Sequence, residues 1–268
     1  MSVPSPHPDA RAVVTGASHG IGEALAAELA ARGHNLIITA RREELLNDLA
    51  GRLADKHHVT VEVRPADLAD ATARAALRDE LGSRQISILC ANAGAATIGP
   101  VSQLDAAGER DLVQLNAAGV HDLVLAVMPG MLERGSGGIL MSGSTAGNAP
   151  IPNNATYAAT KAFINSFSES LHWELRGSGV HVTLLAPGPV RTFIVESVDE
   201  ATTSKLVPDY LWVSPEQAAK VSLDGLARNK MRVVPGLPAK VMSMTNQYAP
   251  RSIIAPIVGR VYRQLAGG

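Results

Sequence analysis

Cysteine is almost absent from this sequence, because a single residue, Cys90, occurs among 268. A lone cysteine cannot form an intramolecular disulfide, and cysteines at metal-ligand spacing are missing. Cys90 lies in the apolar run Ile-Ser-Ile-Leu-Cys-Ala at 86–91, where we expect it to be buried as a small hydrophobic residue. The sequence therefore predicts neither a disulfide scaffold nor a metal site.

An excess of charge of either sign is also missing. Lys and Arg total 24, Asp and Glu total 25, and the formal net charge is −1. The basic residues are scattered along the chain, whereas a nucleic-acid-binding protein usually gathers them into a stripe or patch. This balance excludes nucleic acid as the expected partner and favours a small-molecule ligand.

Long apolar runs and a secretory leader are further absences. No uninterrupted apolar stretch approaches the roughly 18 to 20 residues of a membrane-spanning helix, so we expect no transmembrane segment and a soluble, cytoplasmic protein. Residues 1–9 contain three prolines and lack the charged start and apolar centre of a signal peptide. We interpret them as a flexible lead-in.

The sequence does contain a regular alternation of short apolar runs and longer stretches with helical spacing. The runs, each bounded by turn residues, lie at 11–15, 35–40, 59–64, 86–91, 138–142, 180–186 and 232–234. Near-continuous apolar strands that alternate with helices indicate a parallel sheet covered on both faces. We therefore predict an α/β fold: a doubly wound Rossmann-type sheet of about seven strands, formed by residues 10–268 as a single domain.

Two segments depart from this alternation. Residues 193–213 follow a Pro-Gly-Pro turn and mix apolar with charged side chains, which is typical of a lid over a substrate. Residues 235–268 have the spacing of one or two amphipathic helices. This C-terminal extension has three alternative roles: covering the site, pairing subunits or contacting a membrane surface.

A glycine-rich step, TGASHGIG at 15–22, follows the first apolar run and precedes an alanine-rich helical stretch. Such a turn lets the backbone approach a pyrophosphate, whose charge is met by free N–H groups at the helix N-terminus. Bulky side chains would block that approach. The stretch therefore predicts a dinucleotide-binding loop.

Further motifs follow in a fixed order. Asn-Ala-Gly at 92–94 follows the fourth run, Ser144 lies thirteen residues before Tyr157, Tyr-Ala-Ala-Thr-Lys at 157–161 supplies Tyr-x-x-x-Lys, and Pro-Gly-Pro-Val-Arg-Thr lies at 187–192. With the Gly-x-x-x-Gly-x-Gly spacing of the first loop, the chain resembles the single-domain classical type of the short-chain dehydrogenase/reductase family. The resemblance spans roughly residues 11–234 and implies an oxidoreductase that uses a nicotinamide cofactor on carbonyl or alcohol groups.

The resemblance implies catalytic roles for four residues. Tyr157 gives a proton to the carbonyl oxygen, Ser144 holds that oxygen, Lys161 also holds the nicotinamide ribose, and Asn116 kinks its helix and supports a proton-relay water. Because residues four apart on a helix share a face, Lys161 is also expected to lower the pKa of the Tyr157 phenol. Ser142 is a rival for the serine role, since Ser-Gly-Ser at 142–144 stands where the family commonly has a double serine; otherwise we expect it near the cofactor.

The end of the second strand indicates which cofactor binds. Enzymes that use NAD place an acid there for the ribose 2′-hydroxyl, whereas this sequence reads Thr-Ala-Arg-Arg at 39–42. Arg41 offers a guanidinium fork suited to the extra phosphate of NADP, and His19 stands where NADP-preferring members of the family often carry a basic residue. We therefore expect NADP(H) to be preferred over NAD(H).

By resemblance, Asp67 and Leu68 hold the adenine, although Asp67 is also a candidate cap for the next helix. The expected cofactor-binding residues are Gly16, Ser18, His19, Gly20, Ile21, Gly22, Arg41, Asp67, Leu68, Asn92, Ala93, Gly94, Tyr157, Lys161, Pro187, Gly188, Val190 and Thr192.

The apolar side chains at 193–213 favour an apolar ketone or aldehyde, which is reduced to an alcohol or formed in the reverse reaction. Alternatively, these side chains only pack the lid on the core. The alternative is a non-catalytic NADP-binding sensor or scaffold with the same fold, and the intact Ser144, Tyr157 and Lys161 argue against it. By resemblance, we expect a homodimer or homotetramer assembled through the helices at 105–134 and 156–176.

Overall fold

The computed structural model describes residues 4–190, 212–248 and 250–265. Its centre is a seven-stranded sheet in the order β3-β2-β1-β4-β5-β6-β7, with every neighbouring pair parallel. The strands are β1 (Arg11–Thr15), β2 (Leu36–Thr39), β3 (Val61–Val63), β4 (Ile86–Ala91), β5 (Gly137–Ser142), β6 (Val180–Leu185) and β7 (Arg232–Val233). The predicted doubly wound α/β fold is confirmed.

Both faces of the sheet are buried, which explains the near-continuous apolar runs. All residues of β4, β5 and β6 are buried. Because successive side chains of a strand point to opposite faces, Val13 and Val14 of β1 belong to different hydrophobic clusters. Cys90 is buried as predicted, and this burial raises the pKa of its thiol to about 12.

Helices cover the two faces. α1, α2 and α7 pack against one face, and α3, α5 and α6 against the other. The described helices are α1 (Gly20–Ala31), α2 (Glu43–His57), α3 (Ala71–Gly82), α4 (Ala106–Val113), α5 (Gly119–Glu133), α6 (Ala155–Glu174), α7 (Pro215–Ala227), α8 (Leu237–Tyr248) and α9 (Arg251–Leu265). Local capping fixes several starts; Ser214, for example, accepts from the Gln217 N–H ahead of Pro215.

One helical run among the described residues, Ala106–Glu133, has the length and apolar composition that a membrane-crossing helix also has. The sequence search missed this run because charged residues interrupt it. Its buried side chains include Leu123, Val124 and Val127, which belong to the core under one face of the sheet. Packing on the sheet accounts for the apolar composition of this run.

Some predicted features lie outside the described residues. These are residues 1–3 of the lead-in, Thr192, residues 193–211 of the predicted lid, and residues 266–268 of the C-terminal extension. Val190 and Val213, on either side of the gap, form a parallel bridge in which the Val213 N–H donates to Pro189. The bridge joins the loop after β6 to the residues that precede α7.

Candidate active site

The predicted motifs meet at one edge of the sheet. The glycine-rich loop follows β1, residues 92–94 follow β4, Ser144 follows β5, and residues 187–190 follow β6. Because all seven strands are parallel, their carboxyl ends lie on the same side, and this is where open α/β sheets bind ligands.

The glycine-rich loop has the backbone that a bound pyrophosphate needs. Gly16 and Gly20 have φ angles of +67° and +62°, which most residues avoid. α1 begins at Gly20, and the His19 side chain that precedes it makes no capping hydrogen bond, so the first-turn N–H groups are open to an anion. A Cβ at Gly16 would lie 2.8 Å from the Ala93 Cα. This narrow, cap-free turn therefore fits the phosphates of a dinucleotide.

Thr15 ties the first loop to the loop after β4. Its Oγ1 accepts hydrogen bonds from the Asn92 and Ala93 N–H groups, both at 2.9 Å, and its carbonyl accepts from Asn92 Nδ2 at 3.2 Å. Ser142 Oγ in turn donates to Asn92 Oδ1 at 3.0 Å. The Ser142 hydroxyl is therefore engaged with Asn92. The sequence analysis gave Thr15 no role.

At the end of β2, the arginine that contacts the glycine-rich loop is Arg42. Its Nη2 donates to His19 Nδ1 at 2.8 Å, and Ser18 Oγ lies 2.9 Å from the same nitrogen. Because a guanidinium can only donate, His19 Nδ1 must accept. Arg41 is exposed and forms no hydrogen bond or ion pair within the described parts of the chain. The predicted cofactor-binding residues include Arg41 but not Arg42.

The loop after β3 resolves the alternative left open for Asp67. Asp67 Oδ1 accepts from the Ala69 N–H at 3.0 Å, whereas the cap of α3 is Asp70, which accepts from the Ala73 N–H at 2.7 Å. Asp67 therefore shapes the turn and does not cap the helix. Leu68 is buried in the core.

The loop after β6 is held against the serine loop, residues 143–154 between β5 and α6, which carries Ser144. Thr145 donates to the Pro187 carbonyl through its backbone N–H at 3.0 Å and its Oγ1 at 3.2 Å. Gly188, next in the chain, is half-buried. Val190 belongs to a small buried cluster with Val213, against which Ile21 of the glycine-rich loop packs. Through these contacts, the loop after β6 packs against both the serine loop and the glycine-rich loop, which are both parts of the predicted cofactor site.

Asn116 lies in a single π-helical turn, Gln114–Ala118, between α4 and α5. Its Nδ2 donates to the Ala95 carbonyl at 2.9 Å and to Thr160 Oγ1 at 3.1 Å, and its Oδ1 accepts from the Ala95 N–H at 2.9 Å. π turns often mark functional sites within helices. Through these bonds Asn116 joins the loop after β4 to α6.

Ser144, Tyr157 and Lys161 converge at the same edge. Ser144 is hydrogen-bonded to Tyr157, and its Oγ accepts from the Ala146 N–H at 3.1 Å. Lys161 Nζ lies 5.7 Å from the centre of the Tyr157 ring and donates to the Ser142 carbonyl at 2.8 Å. A Cβ at Gly94 would lie 3.4 Å from Lys161 Nζ. Of the two candidate serines, Ser144 is therefore the one that acts on the phenol.

The direction of the Tyr157 pKa shift corrects one expectation. Burial raises the pKa of Tyr157, and this outweighs the lowering by the hydrogen bond from Ser144. Burial also lowers the pKa of Lys161 to about 8. The expected lowering of the phenol's pKa by Lys161 is wrong for this structure, because desolvation dominates both groups. Tyr157 is therefore protonated at neutral pH.

The C-terminal extension packs beside this site. A Cβ at Gly259 of α9 would lie 3.0 Å from Pro152 Cγ, and Asn148 Nδ2 donates to Ser243 Oγ of α8 at 2.9 Å. Tyr262 of α9 is close enough to Tyr157 for the two phenols to interact, and burial and this neighbour raise the Tyr262 pKa to about 12. Of the three alternatives for the extension, the described contacts favour covering the site.

Comparison with known proteins agrees with this geometry. The sequence model of the family described as short chain dehydrogenase matches residues 10–203. Sulfoacetaldehyde reductase 2 of Chromohalobacter salexigens is 34% identical over 216 residues, which are 78% of this chain and 85% of the relative.

Solved structures show the same similarity. A short-chain dehydrogenase from Sphingobium yanoikuyae in complex with NADPH is 34% identical, with a TM-score of 0.79 over 87% of this chain and 91% of its own. The bulky-bulky ketone specific alcohol dehydrogenase from Comamonas testosteroni is 32% identical, with a TM-score of 0.76 over 85% of this chain and 86% of its own. This chain therefore belongs to the short-chain dehydrogenase family and is an NAD(P)-dependent oxidoreductase acting on CH–OH and C=O groups.

Proposed function

We propose that the protein reduces an apolar ketone or aldehyde to an alcohol with NADPH, or catalyses the reverse reaction. The observation that carries the proposal is the convergence of Ser144, Tyr157 and Lys161 beside a glycine-rich loop that fits a dinucleotide. A sensor or scaffold would have no need of a buried phenol bonded to a serine hydroxyl.

Each of these side chains has a distinct task in the proposed reduction. NADPH, when bound, supplies the hydride for the carbonyl carbon. The protonated Tyr157 phenol donates its proton to the carbonyl oxygen, so that C=O becomes CH–OH and a phenolate remains. The Ser144 hydroxyl donates a hydrogen bond to the same oxygen as negative charge develops on it. The Lys161 ammonium offsets the charge of the phenolate and, by the resemblance, would also bind the nicotinamide ribose.

Asn116 serves this chemistry indirectly. The Asn116 amide bonds both the N–H and the carbonyl of Ala95. Asn116 Nδ2 also donates to Thr160, which precedes Lys161 in the chain. We propose that the π turn presents Asn116 to a water that returns a proton to Tyr157.

Preference for NADPH is supported by the charge at the end of β2. Arg41 and Arg42 stand there with no acid at 39–42, and Arg42 is joined to His19 of the glycine-rich loop. A 2′-phosphate placed there would meet two guanidinium groups. The NADPH complex of the Sphingobium relative supports the same cofactor.

An apolar substrate is supported by the surroundings of the serine loop. A cavity of about 410 Å³ lies between residues 147–152 of this loop, α6 and Arg251 of α9. Its lining is mainly apolar and is adjacent in the chain to Ser144 and Tyr157, which do not themselves line it. Tyr262 of α9 adds a phenol that is near enough to interact with the Tyr157 phenol. The ketone specificity of the Comamonas relative suggests a bulky carbonyl compound.

The test is a screen of ketones and aldehydes that follows NADPH absorbance with the purified protein, repeated with Tyr157→Phe. We expect turnover of an apolar carbonyl compound and a loss of about a hundredfold or more in kcat for the variant, with NADPH binding retained. Wild-type turnover by Tyr157→Phe would overturn the mechanism, and binding of NADPH without turnover of any carbonyl or alcohol would favour the sensor.

We also propose a homodimer or homotetramer that assembles through α5 and α6. Leu125 and Leu132 of α5 and Phe163 and Trp173 of α6 are exposed apolar residues. Phe163 stacks on Phe167 with ring centres 5.8 Å apart. An exposed apolar face of this kind is typical of a surface that a partner covers.

A further inference from the structure

One asparagine holds both backbone polar groups of Ser144. Asn165 Oδ1 accepts from the Ser144 N–H at 3.3 Å, and Asn165 Nδ2 donates to the Ser144 carbonyl at 2.9 Å. The same Nδ2 donates to Asn148 Oδ1 at 3.2 Å. A single amide therefore fixes the peptide groups on both sides of the Ser144 side chain.

Asn165 occupies a position where an asparagine is otherwise unfavourable. It lies in the interior of α6 and is 4% exposed. Asparagine is a weak helix former, and burial of its amide costs free energy unless the amide is fully bonded. Asn165 follows Tyr157 and Lys161 at intervals of four residues, so the three side chains share one stripe of the helix.

Gly143 provides the room for this amide. A Cβ at position 143 would overlap Asn165 Oδ1 and would lie 2.6 Å from Leu184 Cδ1. The φ angle of Gly143 is not in the left-handed region, so space and not backbone conformation requires glycine there. The glycine of the Ser-Gly-Ser sequence at 142–144 therefore leaves the space that the Asn165 side chain of α6 occupies.

We propose that Asn165, accommodated by Gly143, is a positioning residue that holds Ser144 against Tyr157. This inference rests on the proposed function, in which the Ser144 hydroxyl donates a hydrogen bond to the substrate oxygen. Because Ser144 Oγ accepts from Ala146 and both of its peptide groups are bonded to Asn165, the hydroxyl keeps one orientation. Misplacement of such a group by a fraction of an ångström lowers turnover more than binding.

The first test is a double-mutant cycle of Ser144→Ala and Asn165→Ala. We expect Asn165→Ala to lower kcat about tenfold with NADPH affinity unchanged, and to have no further effect when Ser144 is already alanine. A purely structural role predicts equal losses in both backgrounds and would overturn the inference. Wild-type activity of Ser144→Ala would instead overturn the proposed function.

The second test examines the pairing with Gly143. We expect Gly143→Ala to lower kcat in the wild-type background and to have a smaller effect in Asn165→Ala, where the overlap with Asn165 Oδ1 is removed and only the close approach to Leu184 Cδ1 remains. Ser168→Ala is the matched control, because Ser168 is buried on the same helix and its Oγ has no hydrogen-bond partner among the described residues. An equal effect of Gly143→Ala in both backgrounds, or wild-type kcat in Asn165→Ala, would contradict the pairing.

Discussion

Two adjacent arginines at the end of β2 differ in what they touch. Arg42 is bonded to His19 of the glycine-rich loop, whereas Arg41 is exposed and has no polar partner in the described structure. The hydrogen bond to His19 holds the Arg42 guanidinium in place. The exposed Arg41 side chain can turn towards a ligand. The two would therefore complement each other around the 2′-phosphate of NADPH, the cofactor proposed above.

We predict that Arg41→Ala and Arg42→Ala each weaken NADPH binding by about tenfold or more and leave NADH binding nearly unchanged, because each removes a charge-assisted hydrogen bond to the 2′-phosphate. Titration calorimetry with both cofactors measures this. Arg52→Ala is the control, since Arg52 of α2 pairs with Glu23 and Asp48 away from the strand end. Equal losses for NADPH and NADH would contradict the assignment, as would a wild-type protein without at least a tenfold preference for NADPH.

Burial acts in opposite directions on the two titrating groups of the site. It raises the pKa of the Tyr157 phenol and lowers the pKa of the Lys161 ammonium to about 8. As the pH rises, Lys161 therefore loses its proton first, while Tyr157 remains protonated. The phenol thus keeps the proton that reduction consumes.

We predict that kcat/KM for reduction is constant below about pH 7 and falls as the pH rises through about 8, because the positive charge of Lys161 is lost there. The pH–rate profile measures this. Lys161→Arg keeps a cation at every accessible pH, so its residual activity should lack the alkaline decline. A wild-type profile that stays flat to about pH 10 would show that the charge of Lys161 is not required.

Among the elements, strands were predictable and departures from regular helices were not. The runs predicted at 11–15 and 86–91 coincide with β1 and β4, because both strands are buried on both faces. The edge strand β3 is shorter than its predicted run, since only one neighbour pairs with it. The π turn at Asn116 is a single turn within a continuous helical run, and only the resemblance, by which Asn116 kinks its helix, pointed to it.

In the site, too, local sequence patterns were predictable and contacts between distant segments were not. Short motifs predicted Ser144, Tyr157, Lys161 and the glycine-rich loop, because these residues lie close together along the chain or at fixed spacing. The contacts of Asn165 and Tyr262 join elements distant in sequence, so they appear only once α6 and α9 are packed beside the serine loop.

The placement of α9 makes a prediction about substrate binding. Tyr262 is near enough to Tyr157 for the two phenols to interact. If it borders the proposed substrate site, Tyr262→Ala should remove apolar surface there and raise KM for a bulky ketone about tenfold, with NADPH affinity unchanged. Steady-state kinetics measures this. Tyr248→Ala is the control, because Tyr248 of α8 is 77% exposed. An unchanged KM for Tyr262→Ala would place α9 outside the substrate site.

At the scale of the whole molecule, the parallel sheet sets the reactive residues apart from the outer surfaces of α5 and α6. The carboxyl ends of the strands gather the reactive residues at one edge, while α5 and α6 cover one face and present their outer surfaces to solvent. Because α6 carries Tyr157 and Lys161 on its buried side, contacts on its outer side would help to hold these residues in place. In the proposed oligomer, α6 would therefore take part in both assembly and catalysis.

The final prediction concerns the oligomer. Phe163 and Trp173 of α6 are 44% and 57% exposed, and Ile257 of α9 is 56% exposed. If α5 and α6 form the interface, Phe163→Asp with Trp173→Asp should dissociate the assembly, because a buried unpaired charge is costly. Ile257→Asp, of similar exposure, should leave it intact.

Sedimentation at micromolar concentration measures the mass, which for the wild type should be two or four times the 28.0 kDa of one chain. A wild-type mass of one chain would refute assembly, and dissociation by Ile257→Asp alone would move the interface to the C-terminal helices.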